Sequence, residues 1–181
     1  GPAMPTPVII RDEQPADIPR IAGLVTEAFR TAPHSSGTEA LIVDALRDAR
    51  TLTVSLVADA GGELTGHIAI SPVTTTSGDR GWFGLGPIAV APAHQGKGIG
   101  TQLMHAALDR LREAGASGCV VLGNPAFYSR FGFVREEALV LPGVPQASFL
   151  ATTFTGAMAS GTVSYHDGFS AGAGESGPPD S

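Results

Sequence analysis

The sequence predicts a single α/β domain, and three observations carry that prediction. Gly61-Gly62 stands between two apolar runs, the local signature of an antiparallel hairpin, because glycine reaches positive φ without steric cost. From Gly86 to Gly115 the chain reads as an apolar strand, a turn containing Gly96, Gly98 and Gly100, and an amphipathic helix. A length of 181 residues with 43% apolar content is enough to bury one full core and would crowd two.

The bulk numbers exclude several function classes. Net charge is −6, and the 11 basic residues are dispersed rather than clustered, which argues against nucleic acid as a partner. No apolar run approaches the ~18 residues of a membrane span, and no basic stretch followed by an apolar run marks a secretory signal. A lone cysteine, Cys119, cannot form an internal disulfide and fits a reducing compartment, so a cytoplasmic protein is expected. No metal is expected, and no internal repeat is present. Gly1-Pro2-Ala3 before Met4 reads as a cloning remnant, placing a flexible start at 1–7, one domain at 8–169 and a disordered Gly/Ser/Pro tail at 170–181.

The elements follow in order. Residues 8–11 are a short β-branched run, and Gln14-Pro15-Ala16-Asp17 starts a helix that reaches Phe29, with Ile18, Ile21, Leu24, Val25 and Phe29 on its inner face. Residues 33–37 break the chain. Thr38 then N-caps a second helix whose apolar face is Leu41, Ile42, Ala45 and Leu46. Strands at 51–58 and 64–70 flank the Gly61-Gly62 turn, and 74–81 is a polar loop. The strand at 82–90 lacks clean alternation, which implies burial on both faces, and its Pro87 implies a bulge or a missing ladder bond.

The helix from Gly98 to Ala114 carries Ile99, Leu103, Ala107, Leu111 and Ala114 on one stripe and stops at Gly115. A short buried strand at 119–122 contains Cys119, which is a small core residue by this reading. Asn124-Pro125 opens a second short helix, with Asn as N-cap and Pro at its first position, bearing Phe127, Tyr128 and Phe131 before Gly132. Residues 133–134, 139–141, 148–154 and 162–166 are strand-like.

The Gly-rich turn is an anion site by its backbone alone. The first amides of a helix lack partners and the helix dipole adds partial positive charge, so a pyrophosphate is the expected occupant. Spacing discriminates among nucleotide-binding patterns. A Walker A loop needs Gly where Ala91 stands and Ser or Thr where Gly98 stands; a dinucleotide fingerprint needs Gly where Thr101 stands. Gly84-Leu85-Gly86-Pro87-Ile88-Ala89 matches a relaxed fingerprint but lies inside a strand and opens no helix.

What remains is Gln95-x-x-Gly98-x-Gly100 after an apolar strand, and here the chain resembles the GCN5-related N-acetyltransferase (GNAT) family, whose pyrophosphate loop has that pattern between its fourth strand and third helix. Tyr128-Ser129-Arg130-Phe131-Gly132-Phe133 resembles the family's later acyl-CoA-contacting motif. Gly123 to Tyr128 and Gly161 to His166 with Phe169 are similar to the YhbS-like subgroup of small bacterial acetyltransferases, so the resemblance covers roughly 8–169.

The resemblance implies a three-layer α/β fold with a mixed, largely antiparallel sheet that splays between its fourth and fifth strands. It implies acetyl-CoA as co-substrate, with the backbone of Ile88, Ala89 and Val90 bonding the pantetheine and Gln95, Gly96, Lys97, Gly98, Ile99, Gly100 and Thr101 holding the pyrophosphate. Asn124, Phe127, Tyr128 and Arg130 complete the cofactor set. An amine of a small molecule or peptide would attack the thioester directly, and Tyr128 stands at the position of the general acid.

Two departures from the family pattern are visible. Many relatives carry a Glu on the fourth strand, whereas 82–90 contains no acid; Glu27, Glu39 and His67 are the candidate bases. The asparagine that many relatives place seven residues before the tyrosine is Val121 here. A CoA-binding sensor without catalysis, transfer of a longer acyl group and transfer to oxygen are the alternatives. The loops at 31–37 and 74–81 are candidates for the acceptor side, and the oligomeric state, a homodimer included, is open.

Overall fold

The computed structural model describes residues 6–30 and 37–167. Strand β1 (Val8–Asp12) leads through a 3-10 turn (Pro15–Asp17) into helix α1 (Ile18–Phe29). The turn is fixed by charge: the buried Asp17 carboxylate accepts from Arg11 Nη1 at 2.7 Å, Arg11 Nη2 at 3.1 Å and the Gln14 amide at 2.7 Å. The Arg11 hydrogen bond is the main reason the Asp17 pKa falls to about 2. Helix α2 (Glu39–Asp48) follows, then β2 (Val54–Ala60) and β3 (Glu63–Thr75), joined by the glycine turn. Gly61 and Gly62 take φ of +63° and +98°, as the hairpin requires.

Strand β4 (Trp82–Val90) runs into helix α3 (Ile99–Glu113), and β5 (Gly118–Leu122) into helix α4 (Pro125–Tyr128). Strands β6 (Val134–Arg135), β7 (Leu139–Val140), β8 (Phe149–Thr153) and β9 (Gly161–Tyr165) complete the described chain. The order along the main sheet is β1-β2-β3-β4-β5-β8-β6, while β9 pairs with the end of β3 and with β7. All pairings on the main path are antiparallel except β4 with β5. The parallel pair follows from the α3 crossover.

Strand alternation splits the core into layers. Leu56, Ile68, Ile70, Ile88 and Val90 pack with Leu103, Met104 and Ala107 of α3 on one face. Val57, Ala69 and Ala89 pack with Ile21, Val25 and Val43 of α1 and α2 on the other. A third cluster, with Trp82, Val120, Phe149 and Val163, lies under β7 and β9. The mixed three-layer arrangement expected from the sequence is therefore present.

Two expectations are corrected. Strand β3 does not end at Ile70 but continues to Thr75, pairing Ile70, Ser71 and Pro72 with Leu85, Gly84 and Phe83, then Val73–Thr75 with β9. The β2 partner ends at Val54 opposite Ile70, so Pro72 lies where no β2 carbonyl needs its missing N–H. In α2 the inward residues are Glu39, Ile42, Val43 and Leu46, and Leu41 is 56% exposed. All of the expected loop at 31–37 but Gly37, the chain start at 1–5 and the tail at 170–181 lie outside the described residues, as does Phe169.

Candidate active site

The site begins with a break in the sheet. Strands β4 and β5 pair only through Trp82, Gly84 and the residue between, opposite Gly118, Cys119 and Val120. Beyond that point Leu85–Val90 and Val121–Leu122 make no ladder to each other, although β5 keeps its full pairing with β8 and β4 keeps β3 as far as Val90. The two facing edges therefore diverge with unpaired backbone groups. At the start of the divergence the β3–β4 register slips, with the single residue Ala69 opposite both Gly86 and Pro87. Of the bulge or missing ladder bond expected at Pro87, the register shows the bulge.

At the far end of β4 the chain passes through a 3-10 turn (Pro92–His94) to the glycines. Gly96 and Gly98 take φ of +76° and +81°, and a Cβ on either would meet nothing within 4 Å. Gly98 is the N-cap of α3, with no side-chain hydrogen bond to the helix. The first intrahelical bond is Gln102 N–H to the Gly98 carbonyl at 3.1 Å, so the amides of Ile99, Gly100 and Thr101 precede the ladder. Gln95 donates its side-chain amide to the Val90 carbonyl at 3.2 Å and thereby ties the turn to the strand end. Lys97 is exposed beside it.

Helix α4 faces this turn. Asn124 caps it, accepting from the Ala126 amide at 3.0 Å, as its sequence predicts. Arg130 reaches back to Thr101 Oγ1 at 3.3 Å while its guanidinium stacks over Phe127 and Phe131 at 5.6 Å each. Tyr128 is fully buried, edge-on to Phe127 and Phe133, and its ring presses on Gly123, where a Cβ would come within 2.5 Å. Gly123 follows β5 directly, so the tyrosine is anchored at the open end of the divergence.

The three candidate bases differ sharply in surroundings. Glu27 is half exposed, paired with Arg30 at 2.9 Å, and lines a surface hollow with Arg20, Gly23, Leu24 and Glu63. Glu39 is buried in the first turn of α2. His67 is buried in β3, opposite Ala89 of β4 and on the face covered by α1 and α2. Its pKa is pushed down from 6.5 to about 4, chiefly by burial, so the imidazole is neutral at neutral pH. Nε2 lies 2.8 Å from Ser55 Oγ, whereas Nδ1 has no hydrogen-bond partner. Ser71 Oγ, on the same face of the same strand, is likewise buried without a partner.

Sequence reasoning missed Glu13 and Ser55, which stand behind His67. A polar residue at the inward parity of β2, between Val54 and Leu56, was the available signal. Tyr165 of β9 lies in the stretch from Gly161 to His166 that carried part of the resemblance; its ring fills the space over Gly84, and burial pushes its phenol pKa up. Among the described residues no group of three or more His, Cys, Asp or Glu could hold a metal ion, and no helix is long and apolar enough to cross a membrane. Burial pushes the Cys119 thiol up, consistent with a core residue.

Comparison with known proteins agrees with this geometry. Residues 19–133 match the Acetyltransferase (GNAT) family model. The chain is 37% identical over 169 residues to the Escherichia coli K12 protein named uncharacterized N-acetyltransferase YhbS, covering 90% of this chain and 98% of that one. A GNAT family acetyltransferase from Brucella melitensis, solved in complex with acetyl-CoA, superposes with a TM-score of 0.81 at 44% identity, covering 91% of this chain and 99% of that one. Escherichia coli YhbS in complex with CoA superposes with a TM-score of 0.82 at 36% identity, covering 94% of each. A diverging β4–β5 pair, a glycine-capped helix at its mouth and likeness to these proteins over nearly the whole chain lead to one conclusion: the chain belongs to the GNAT acetyltransferase family.

Proposed function

We propose that the protein transfers the acetyl group of acetyl-CoA to a primary amine of a small molecule or peptide, by direct attack in a ternary complex. The observation that carries this reading is the unpaired edge of β4 leading straight into the uncapped amides of α3. An extended pantetheine arm adds to that edge at Ile88, Ala89 and Val90 as a strand would, and the pyrophosphate takes the amides from Gln95 to Thr101. Arg130 and Lys97 supply positive charge beside the phosphates, with Phe127 and Asn124 shaping the wall. The Brucella relative holding acetyl-CoA supports the choice of donor.

In the transfer, the amine lone pair adds to the thioester carbonyl carbon and a β4 backbone N–H near the bulge stabilises the oxyanion. The carbon–sulfur bond then breaks, and the leaving sulfur takes a proton from the Tyr128 hydroxyl, which regains one from water as CoA leaves. The acceptor must attack as the neutral amine, because an alkyl ammonium with a pKa of ~10 has no lone pair to offer, and a base must then remove the proton left on nitrogen after the attack. Of the three candidates, His67 is buried, neutral and one strand away from the open edge of β4.

The test is thiol release from acetyl-CoA across a panel of primary amines. Wild-type protein turns over with at least one amine, and Tyr128→Phe lowers turnover by roughly 100-fold with CoA affinity nearly intact. Unchanged turnover in Tyr128→Phe removes Tyr128 from the acid role. Tight CoA binding without thiol release for any amine makes the protein a CoA-binding module instead.

A further inference from the structure

His67 is the end of a buried polar chain that the cofactor motifs do not contain. Glu13, just after β1, is held by a two-pronged bond from Arg47 of α2, with Nε to Oε2 at 2.9 Å and Nη2 to Oε1 at 2.8 Å. The same Oε1 lies within a short hydrogen bond of Ser55 Oγ, and Ser55 Oγ lies 2.8 Å from His67 Nε2. Glu13 and Arg47 are each only 17% exposed. Both line a surface cleft with Asp12, Arg50 and Thr53, into which Ser55 also opens.

The chemistry of the chain fixes the direction of every hydrogen. The Arg47 bond and the Ser55 bond keep Glu13 ionised against the cost of its burial, and an ionised carboxylate only accepts. Ser55 must therefore donate its proton to Glu13, which leaves its oxygen lone pairs to receive from His67. His67 then carries its proton on Nε2, and Nδ1 is a bare lone pair. That nitrogen is buried and unpartnered, an arrangement that is costly unless a substrate or a water completes it. At the same rung β4 carries only the methyl group of Ala89, the strand neighbour of His67 on the side of the edge where the cofactor arm is proposed to lie.

We propose that Glu13 and Ser55 are positioning residues that hold His67 in its Nε2–H tautomer, so that Nδ1 takes the proton from the acceptor nitrogen. This rests on the acetyl-transfer reading above. In the step, a nitrogen–hydrogen bond of the attacking amine breaks and a bond to Nδ1 forms. The imidazolium keeps its Nε2–H bond to Ser55, with the Glu13 carboxylate one hydrogen bond beyond, and returns the proton to water when the product leaves. Burial is the main influence against the imidazolium, the Glu13 carboxylate favours it, and the Arg47 charge adds to the opposition. Around His67, β4 bears no ionisable residue, the buried face of α1 is wholly apolar, and α2 contributes Arg47 and the buried Glu39.

The experiment reads the tautomer and the rate separately. Nitrogen-15 NMR of the CoA-bound protein shows His67 as the Nε2–H tautomer, and Ser55→Ala converts it to a mixture; a wild-type Nδ1–H tautomer overturns the proposal. In the amine-panel assay, Ser55→Ala and Glu13→Gln each lower turnover by roughly 10- to 100-fold and displace the pH–rate profile, with CoA affinity unchanged, while Ser55→Thr restores the rate. If His67→Ala abolishes turnover but Ser55→Ala and Glu13→Gln keep wild-type rates and profiles, positioning is wrong and the base survives. If His67→Ala keeps the wild-type rate, the base reading itself falls, and the positioning proposal falls with it.

Discussion

At the scale of the residue, His67 shows how burial tunes chemistry and stability together. The folded chain holds it neutral, with a pKa near 4 against 6.5 in the unfolded chain. Between those values the unfolded chain binds a proton that the folded chain does not, so the stability present above pH 6.5 drains away as pH falls and levels off below about 4. From pH 7 to pH 5 this amounts to about 2 kcal/mol. Unfolding free energies from urea titrations at the two pH values are expected to differ by that much less in His67→Gln than in the wild type; equal losses would contradict a neutral buried imidazole. Asp17 works at lower pH. Its pKa of about 2 means its contribution is complete above about 4 and lost only as pH falls through 2, so the two residues titrate in separate windows.

At the scale of the element, the strand-to-helix turn of β4 and α3 makes the proposed phosphate site one of backbone geometry. Gly98 sits at φ +81° facing open space, and a β-branched residue there is strained and fills the volume next to the first helical amides. Gly98→Val is expected to weaken CoA binding at least 100-fold by calorimetry, since strain of 1–3 kcal/mol adds to direct exclusion. Retained affinity would refute the site. This turn was legible in the sequence because its signal is local: the spacing of Gln95, Gly98 and Gly100 dictates conformation within one segment. The Asn124 cap was legible for the same reason. The inner face of α2 was not, because Leu41 and Val43 fit a helical stripe equally well and only the packing partners choose Val43.

At the scale of the whole molecule, the closed end of the diverging strands determines how the open end is held. Gly118 lies opposite Trp82, and a Cβ there would come within 2.4 Å of the indole and 2.7 Å of the Thr152 carbonyl. Neither neighbour can yield easily, one being a buried ring and the other backbone. Gly118→Ala is expected to destabilise the fold by about 1–3 kcal/mol, read as a lower urea midpoint; an unchanged midpoint would show that the two strands can separate there without penalty.

The sequence by itself determined the family, the hairpin, the glycine turn before α3 and the Asn124 cap, because each depends on residues within a few positions of one another. It also implied either a bulge or a missing ladder bond at Pro87, since a missing N–H must interrupt a ladder, and the register shows the bulge. Only the tertiary structure decided that Glu39 and His67 are buried while Glu27 is half exposed, and what stands behind His67. Ser55 and His67 are 12 residues apart, Glu13 and Ser55 are 42, and these distances close only when β2 pairs with β3 and the turn after β1 docks on α2. Such contacts leave no period or spacing in the chain, for they are products of strand register, and register is set by the whole buried face at once.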